Sequence, residues 1–135
     1  MPVAGSSSRV VVHGRVRCPV CRKWPTIESG YHKHPKTALG IQTHCKKCQV
    51  RGRRERDRIA QQRAAAIKLE RGCADCGYNQ AAAALDFDHL PGTVKVFSIA
   101  QASGRTWPTV LEEIAKCEVV CANCHRIRTA KRRYG

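Results

Sequence analysis

Apolar positions along this chain come in short groups broken by glycine, proline or charge, and the groups differ in period. Residues 1–17 read as a flexible tail, serine-rich and then valine-rich, with a short strand over residues 10–12. Between residues 18 and 50, Pro25, Gly30, Pro35 and Gly40 punctuate turns and short strands rather than a long helix. Residues 53–71 contain no Gly or Pro and are rich in Arg, Ala and Gln, so they predict a helix, with Ile59 and Ile67 its weaker formers. Gly72 suits its C-terminal cap. That helix is polar nearly all round, which fits either a solvated linker or a helix lying on a phosphate backbone. Residues 83–90 predict a strand ending in Asp88 and His89. Pro91 and Gly92 mark a turn, and residues 94–99 alternate like the second strand of a hairpin. Thr106 can cap a helix whose Trp107, Val110, Leu111 and Ile114 form a core stripe. A last, basic helix starts near Ala122 and carries His125, Arg126, Arg128, Lys131 and Arg132.

These elements leave a thin core. The chain has 135 residues, and of the hydrophobic 42% sixteen residues are Ala and nine are Cys. Small chains with so few large apolar side chains need a staple. Eight cysteines form four C-x-x-C pairs: Cys18/Cys21, Cys45/Cys48, Cys73/Cys76 and Cys121/Cys124. The N-terminal residues lack the apolar core of a secretory signal, so a cytoplasmic location is expected, in which paired cysteines hold metal more often than disulfides. Each tetrahedral zinc takes four ligands, so four pairs predict two structural Zn²⁺ sites. A helix over residues 53–71 would be about 28 Å long. It leaves too little chain to bring Cys45/Cys48 back to Cys73/Cys76. The expected sites are therefore Cys18, Cys21, Cys45, Cys48 and Cys73, Cys76, Cys121, Cys124. His13, His32, His34 and His44 are then surface or phosphate-facing residues, and Cys117 a small buried one.

Charge adds a partner. The formal net charge is +15: +8 over residues 1–50, +5 over residues 51–71 and +2 over residues 72–135. Such an excess favours a polyanion, and nucleic acid is the usual one. Few aromatic residues and no strongly apolar helix face argue against a membrane surface, and no stretch approaches the roughly 20 apolar residues of a membrane span. Arg51, Arg53, Arg54, Arg58, Arg126, Arg128, Lys131 and Arg132 are the expected DNA contacts. The N-terminal knuckle could alternatively meet a protein partner.

Asp88, His89 and His125 bring the second loop its chemistry. The expected zinc holds the start of the last helix near the strand that carries Asp88. A carboxylate and an imidazole can then share one catalytic divalent metal, while a second imidazole accepts a proton from water. The runs from Cys73 to Cys76, Leu85 to His89 and Val120 to Arg126 closely resemble the zinc-bearing HNH endonucleases of phage and mobile elements. The resemblance covers residues 73–132. It implies a ββα-metal fold, a DNA substrate, His89 as general base, and Asp88 and His125 as ligands of one Mg²⁺, Mn²⁺, Ni²⁺ or Zn²⁺. Its one departure is residues 116–120, which lack the Asn that many members place there to brace the loop of the base. Asn123 is either the substitute or a turn residue of the knuckle. The expected architecture is a small zinc-stapled α+β protein. It comprises a tail (1–17), a zinc ribbon-like knuckle (18–50), a linker helix (51–72) and an HNH domain (73–135). The expected function is that of a metal-dependent endonuclease in the cytoplasm of a bacterial or phage-infected cell. The alternative is a non-catalytic zinc-finger protein that binds nucleic acid.

Overall fold

A computed structural model of the chain describes residues 9–135. It divides into two compact units, Met1–Arg54 and Glu55–Gly135. The extreme end of the expected tail, residues 1–8, lies outside the described residues.

In the first unit, residues expected to belong to the tail form a hairpin. Strand β1 (Val11–Val12) pairs antiparallel with β2 (Arg15–Val16). His13 and Gly14, at φ 47° and 69°, turn the chain between them. Positive φ at both central residues matches the right-handed twist of a tight hairpin. The hairpin is held because Val16, only 1% exposed, enters the core with Tyr31, Ile41, Cys18, Cys45 and Cys48. The Tyr31 hydroxyl donates to the Val16 carbonyl at 2.9 Å, which satisfies the one polar atom of that buried ring. A single helical turn, α1 (Ile27–Gly30), is capped by Thr26, whose Oγ1 accepts from the Ser29 amide.

Helix α2 runs over Lys46–Arg71, beginning at Lys46 rather than at residue 53. The reason is local: the Gln49 amide already donates to the Cys45 carbonyl at 3.0 Å, so Cys48 sits in the first turn. The expected cap holds at the other end. Gly72 takes φ 66°, and its amide donates to the Lys68 carbonyl at 2.9 Å. From Asp57 onward α2 is more than a solvated linker. The Asp57 carboxylate accepts from Ser103 Oγ at 2.6 Å and from the Gly104 amide at 3.2 Å. Arg63 lies over the Trp107 ring, and Lys68 over the Phe87 ring.

The second unit contains β3 (Leu85–His89), α3 (Trp107–Ile114), β4 (Cys117–Cys121) and α4 (Ala122–Tyr134). The expected hairpin partner is corrected. Residues 94–99 form no strand, and β3 instead pairs antiparallel with β4, from Leu85 opposite Cys121 to His89 opposite Cys117. Val94 and Val96 alternate suitably but face solvent, 77% and 66% exposed. Residues 117–121 win the position because the sheet aligns Cys121 with the knuckle, where the Ala74 amide donates to the Val119 carbonyl at 2.8 Å. The core stripe of α3 shifts as well: Val110 and Ile114 are buried, Leu111 is 40% exposed, and Glu113 takes the buried face at 1% exposure. Among the described residues no helix is long and apolar enough to cross a membrane.

Candidate functional site

The eight paired cysteines gather into two groups of four, with the pairing the spacing predicts: Cys18, Cys21, Cys45, Cys48 and Cys73, Cys76, Cys121, Cys124. Within each group all the sulfurs lie within 4.8 Å of one another. Cys21 and Cys45 Sγ are 3.8 Å apart, and Cys76 and Cys121 Sγ 3.7 Å. A tetrahedron with Zn–S bonds of about 2.3 Å has an edge of about 3.8 Å. Both groups could therefore hold zinc.

The knuckle turns are equivalent. Arg22 N–H donates to the Cys18 carbonyl and Gly77 N–H to that of Cys73, with φ 60° and 76° at Arg22 and Gly77. Burial would raise the Cys18 and Cys73 thiols. Backbone N–H groups outweigh it, from Cys45, Cys21 and Val20 in one site and Cys121, Cys76 and Asp75 in the other, and bring each thiol to about 6. Cys48 is pushed up to about 12 by burial and by its neighbouring thiols. Cys124 is pushed up to about 12 by its contact with Cys121 and by burial. Four sulfurs this close need a cation before all of them ionise together. Cys117 stands apart as expected: burial raises it to about 11, and its thiol donates to the Glu113 carbonyl.

The second group joins the knuckle that precedes β3 to the junction of β4 and α4, and so gathers a ββα unit. Cys121 closes β4 and caps α4 by accepting from the Cys124 amide. His125 follows in the first turn of α4. Alternation along β3 puts Asp86 and Asp88 on the face covered by α4, and Phe87 and His89 on the other. His125 bridges the two carboxylates, with Nδ1 3.1 Å from Asp86 Oδ2 and Nε2 3.7 Å from Asp88 Oδ1. A ligating histidine is commonly oriented in this way, by a carboxylate on its other ring nitrogen.

Asp88 is 5% exposed and carries further partners. Arg132 reaches it at 2.8 Å and Arg128 at 3.1 Å, while Arg128 also pairs with Asp75 at 2.6 Å and Glu118 at 2.9 Å. The Arg132 guanidinium, followed by Arg128, holds the Asp88 carboxyl below its usual range. The Asp75 carboxylate is the main cause of the raised Arg128 value.

His89 does not join that cluster. It stands on the opposite face, its Nε2 2.7 Å from Glu113 Oε1. Asn123 is exposed on the first turn of α4. Of the expected DNA contacts, Arg51, Arg53, Arg54, Arg126 and Lys131 are exposed. Arg58 pairs with Glu55 at 2.6 Å, and Arg128 and Arg132 are engaged as above. His13, His32 and His44 are exposed, whereas Nδ1 of half-buried His34 is enclosed without a hydrogen-bond partner.

Sequence reasoning left two side chains without a role. Asp86 had a visible signal, since it shares the strand face of Asp88 at a spacing of two. Glu113 had a weaker one, a charged residue between Val110 and Ile114 on an apolar stripe. No family model matches the chain, and neither a curated protein nor a solved structure is significantly similar to it.

Proposed function

We propose that this chain is a metal-dependent DNA endonuclease of the HNH, ββα-metal type. The observation that carries the reading is His125 set between Asp86 and buried Asp88, at the start of a helix pinned by a four-cysteine group. The donors are chemically suited to one hard or borderline divalent cation. Asp88 and His125 would hold it, and Asp86 would fix the ring of His125. Such an ion, when bound, supplies positive charge to the scissile phosphate and the leaving oxygen.

The chain's own residues do the rest. His89 stands on the other face of β3 from Asp88, but it is the last residue of the strand. In this reading it meets the attacking water at the strand end and takes its proton as the water oxygen attacks phosphorus. The bond from phosphorus to the leaving oxygen then breaks. Arg128 and Arg132, which now neutralise Asp88, can turn to the phosphate when the cation takes over that carboxylate. The exposed Arg51, Arg53, Arg54, Arg126 and Lys131 meet phosphates along the duplex.

The engagement of Asp88 by two arginines favours a second reading, in which the cluster is a structural ion-pair network in a non-catalytic zinc protein that binds nucleic acid. Supercoiled plasmid incubated with Mg²⁺, Mn²⁺ or Ni²⁺ separates the two. Nicked or linear product is expected, and it should vanish with EDTA at concentrations that leave the thiolate-bound zinc in place. Plasmid left intact with every metal would exclude the nuclease and leave the second reading.

A further inference from the structure

Glu113 is the one acidic side chain on the buried face of α3, and its surroundings define its charge. Oε1 accepts from the Val96 amide at 3.0 Å and lies 2.7 Å from His89 Nε2. Oε2 accepts from Lys116 Nζ at 2.8 Å, and the same ammonium donates to the Val94 carbonyl at 3.1 Å. A buried carboxylate is costly unless hydrogen-bonded donors compensate it. Here Lys116, then His89 and the Val96 amide, offset the burial and hold it at about 2. It is therefore ionised and can only accept hydrogen bonds.

One consequence concerns the imidazole. If Oε1 only accepts, Nε2 of His89 must carry the hydrogen, and in the neutral ring Nδ1 is left bare. The Val96 amide fixes Oε1 independently of His89, so the ring is held from a point that does not move with it. We propose that Glu113 is the positioning residue of His89, setting its tautomer so that Nδ1 is the nitrogen that takes the proton from the attacking water. Lys116 keeps Glu113 from becoming a proton acceptor itself. This inference rests on the nuclease reading above and adds to it the nitrogen that reacts and the residue that selects it.

The test uses the full chain with its zinc. Glu113→Gln keeps the size and an acceptor oxygen, but its amide can also donate to Nε2 and so favour the wrong tautomer. Its kcat on plasmid should fall by about 10²-fold or more, the scale of losing a correctly oriented base. KM for DNA and zinc content should stay unchanged. In a His89→Ala background the same change should lower the rate no further, since Glu113 acts only through that ring. Additive losses in the double variant would overturn the proposal, as would a Glu113→Gln enzyme that cuts at the parental rate. A parent that cuts no DNA overturns this inference together with the reading beneath it. A cutting parent with an indifferent Glu113 overturns this inference alone. Imidazole ¹⁵N shifts of the parent decide the matter where the Gln variant does not fold. A protonated Nε2 with a bare Nδ1 is expected, and hydrogen on Nδ1 would overturn it.

Discussion

At the scale of single residues, the roles around β3 divide by strand face, and their variants should divide likewise. His89→Ala removes the proposed proton acceptor and leaves Asp88, His125 and the eight paired cysteines in place. Cleavage should fall by about 10²–10⁴-fold while binding of a labelled duplex persists. An Ala variant as fast as the parent would refute the role. Asp88→Ala and His125→Ala should weaken binding of the proposed catalytic metal as well as lower the rate, seen as a shift of activity to higher Mn²⁺ concentration. Asp88→Ala should also lower stability, because it leaves Arg128 and Arg132 facing each other without their shared carboxylate. Asn123→Ala, a change at an exposed helix position, should have a smaller effect than any of these.

The two knuckle turns offer a matched pair of backbone tests. Both need a left-handed residue after the second cysteine, and only one has glycine there: Gly77 at φ 76°, against Arg22 at φ 60°. Gly77→Ala should cost about 1–2 kcal/mol, from conformation alone. No atom lies within 4 Å of the added Cβ. Arg22→Gly relieves the same strain but frees the unfolded chain, so a smaller gain of about 0.5–1 kcal/mol is expected. Urea unfolding of each zinc-loaded variant measures both.

At the scale of elements, α2 is where a polar sequence and its packing part ways. Asp57 is a charged residue on a charged helix, yet it ties α2 to the turn at Ser103 and Gly104. Asp57→Ala should destabilise the second unit by about 1–2 kcal/mol, read from urea melts, with zinc content unchanged. Cutting the chain at residue 72 removes that tie together with the Arg63 and Lys68 ring contacts. A fragment of residues 55–135 should therefore unfold at higher urea than one of residues 72–135. Equal midpoints would mean that α2 adds nothing to this unit.

At the scale of the whole molecule, charge and metal are distributed differently. Each unit has one four-cysteine group, so elemental analysis should find two zinc ions per chain, and strong chelation should unfold both. One zinc per chain would contradict the geometry. Unit Met1–Arg54 carries a net +11 and unit Glu55–Gly135 a net +4. Each neutralised phosphate adds about 0.9 to the logarithmic salt slope of DNA binding. The fragment of residues 55–135 should bind duplex with a distinctly shallower slope than the full chain, while it keeps every group proposed for cleavage. Equal slopes would mean that the N-terminal unit does not lie on DNA and would favour a protein partner for it.

The sequence alone pointed to the grouping of the eight paired cysteines that the structure shows, because a helix between the second and third knuckles leaves too little chain to bring Cys45/Cys48 back to Cys73/Cys76. It also determined the Gly72 cap and the start of α4 at Ala122, since those signals lie within a few residues of where they act. It brought forward Asp88 and His125, whose side chains approach across the ββα unit. Tertiary structure decided the rest. The strand opposite β3 is residues 117–121 and not 94–99, because pairing is settled by where Cys121 joins the four-cysteine group, which alternation cannot report. It set Asp88 and His89 on opposite faces of one sheet, so the adjacent pair meets two separate sets of partners. It placed Arg128 and Arg132 on Asp88, where their helix spacing had suggested only phosphate. And it put Glu113 under His89 from 24 residues away, a contact between elements whose sequence patterns carry no information about each other.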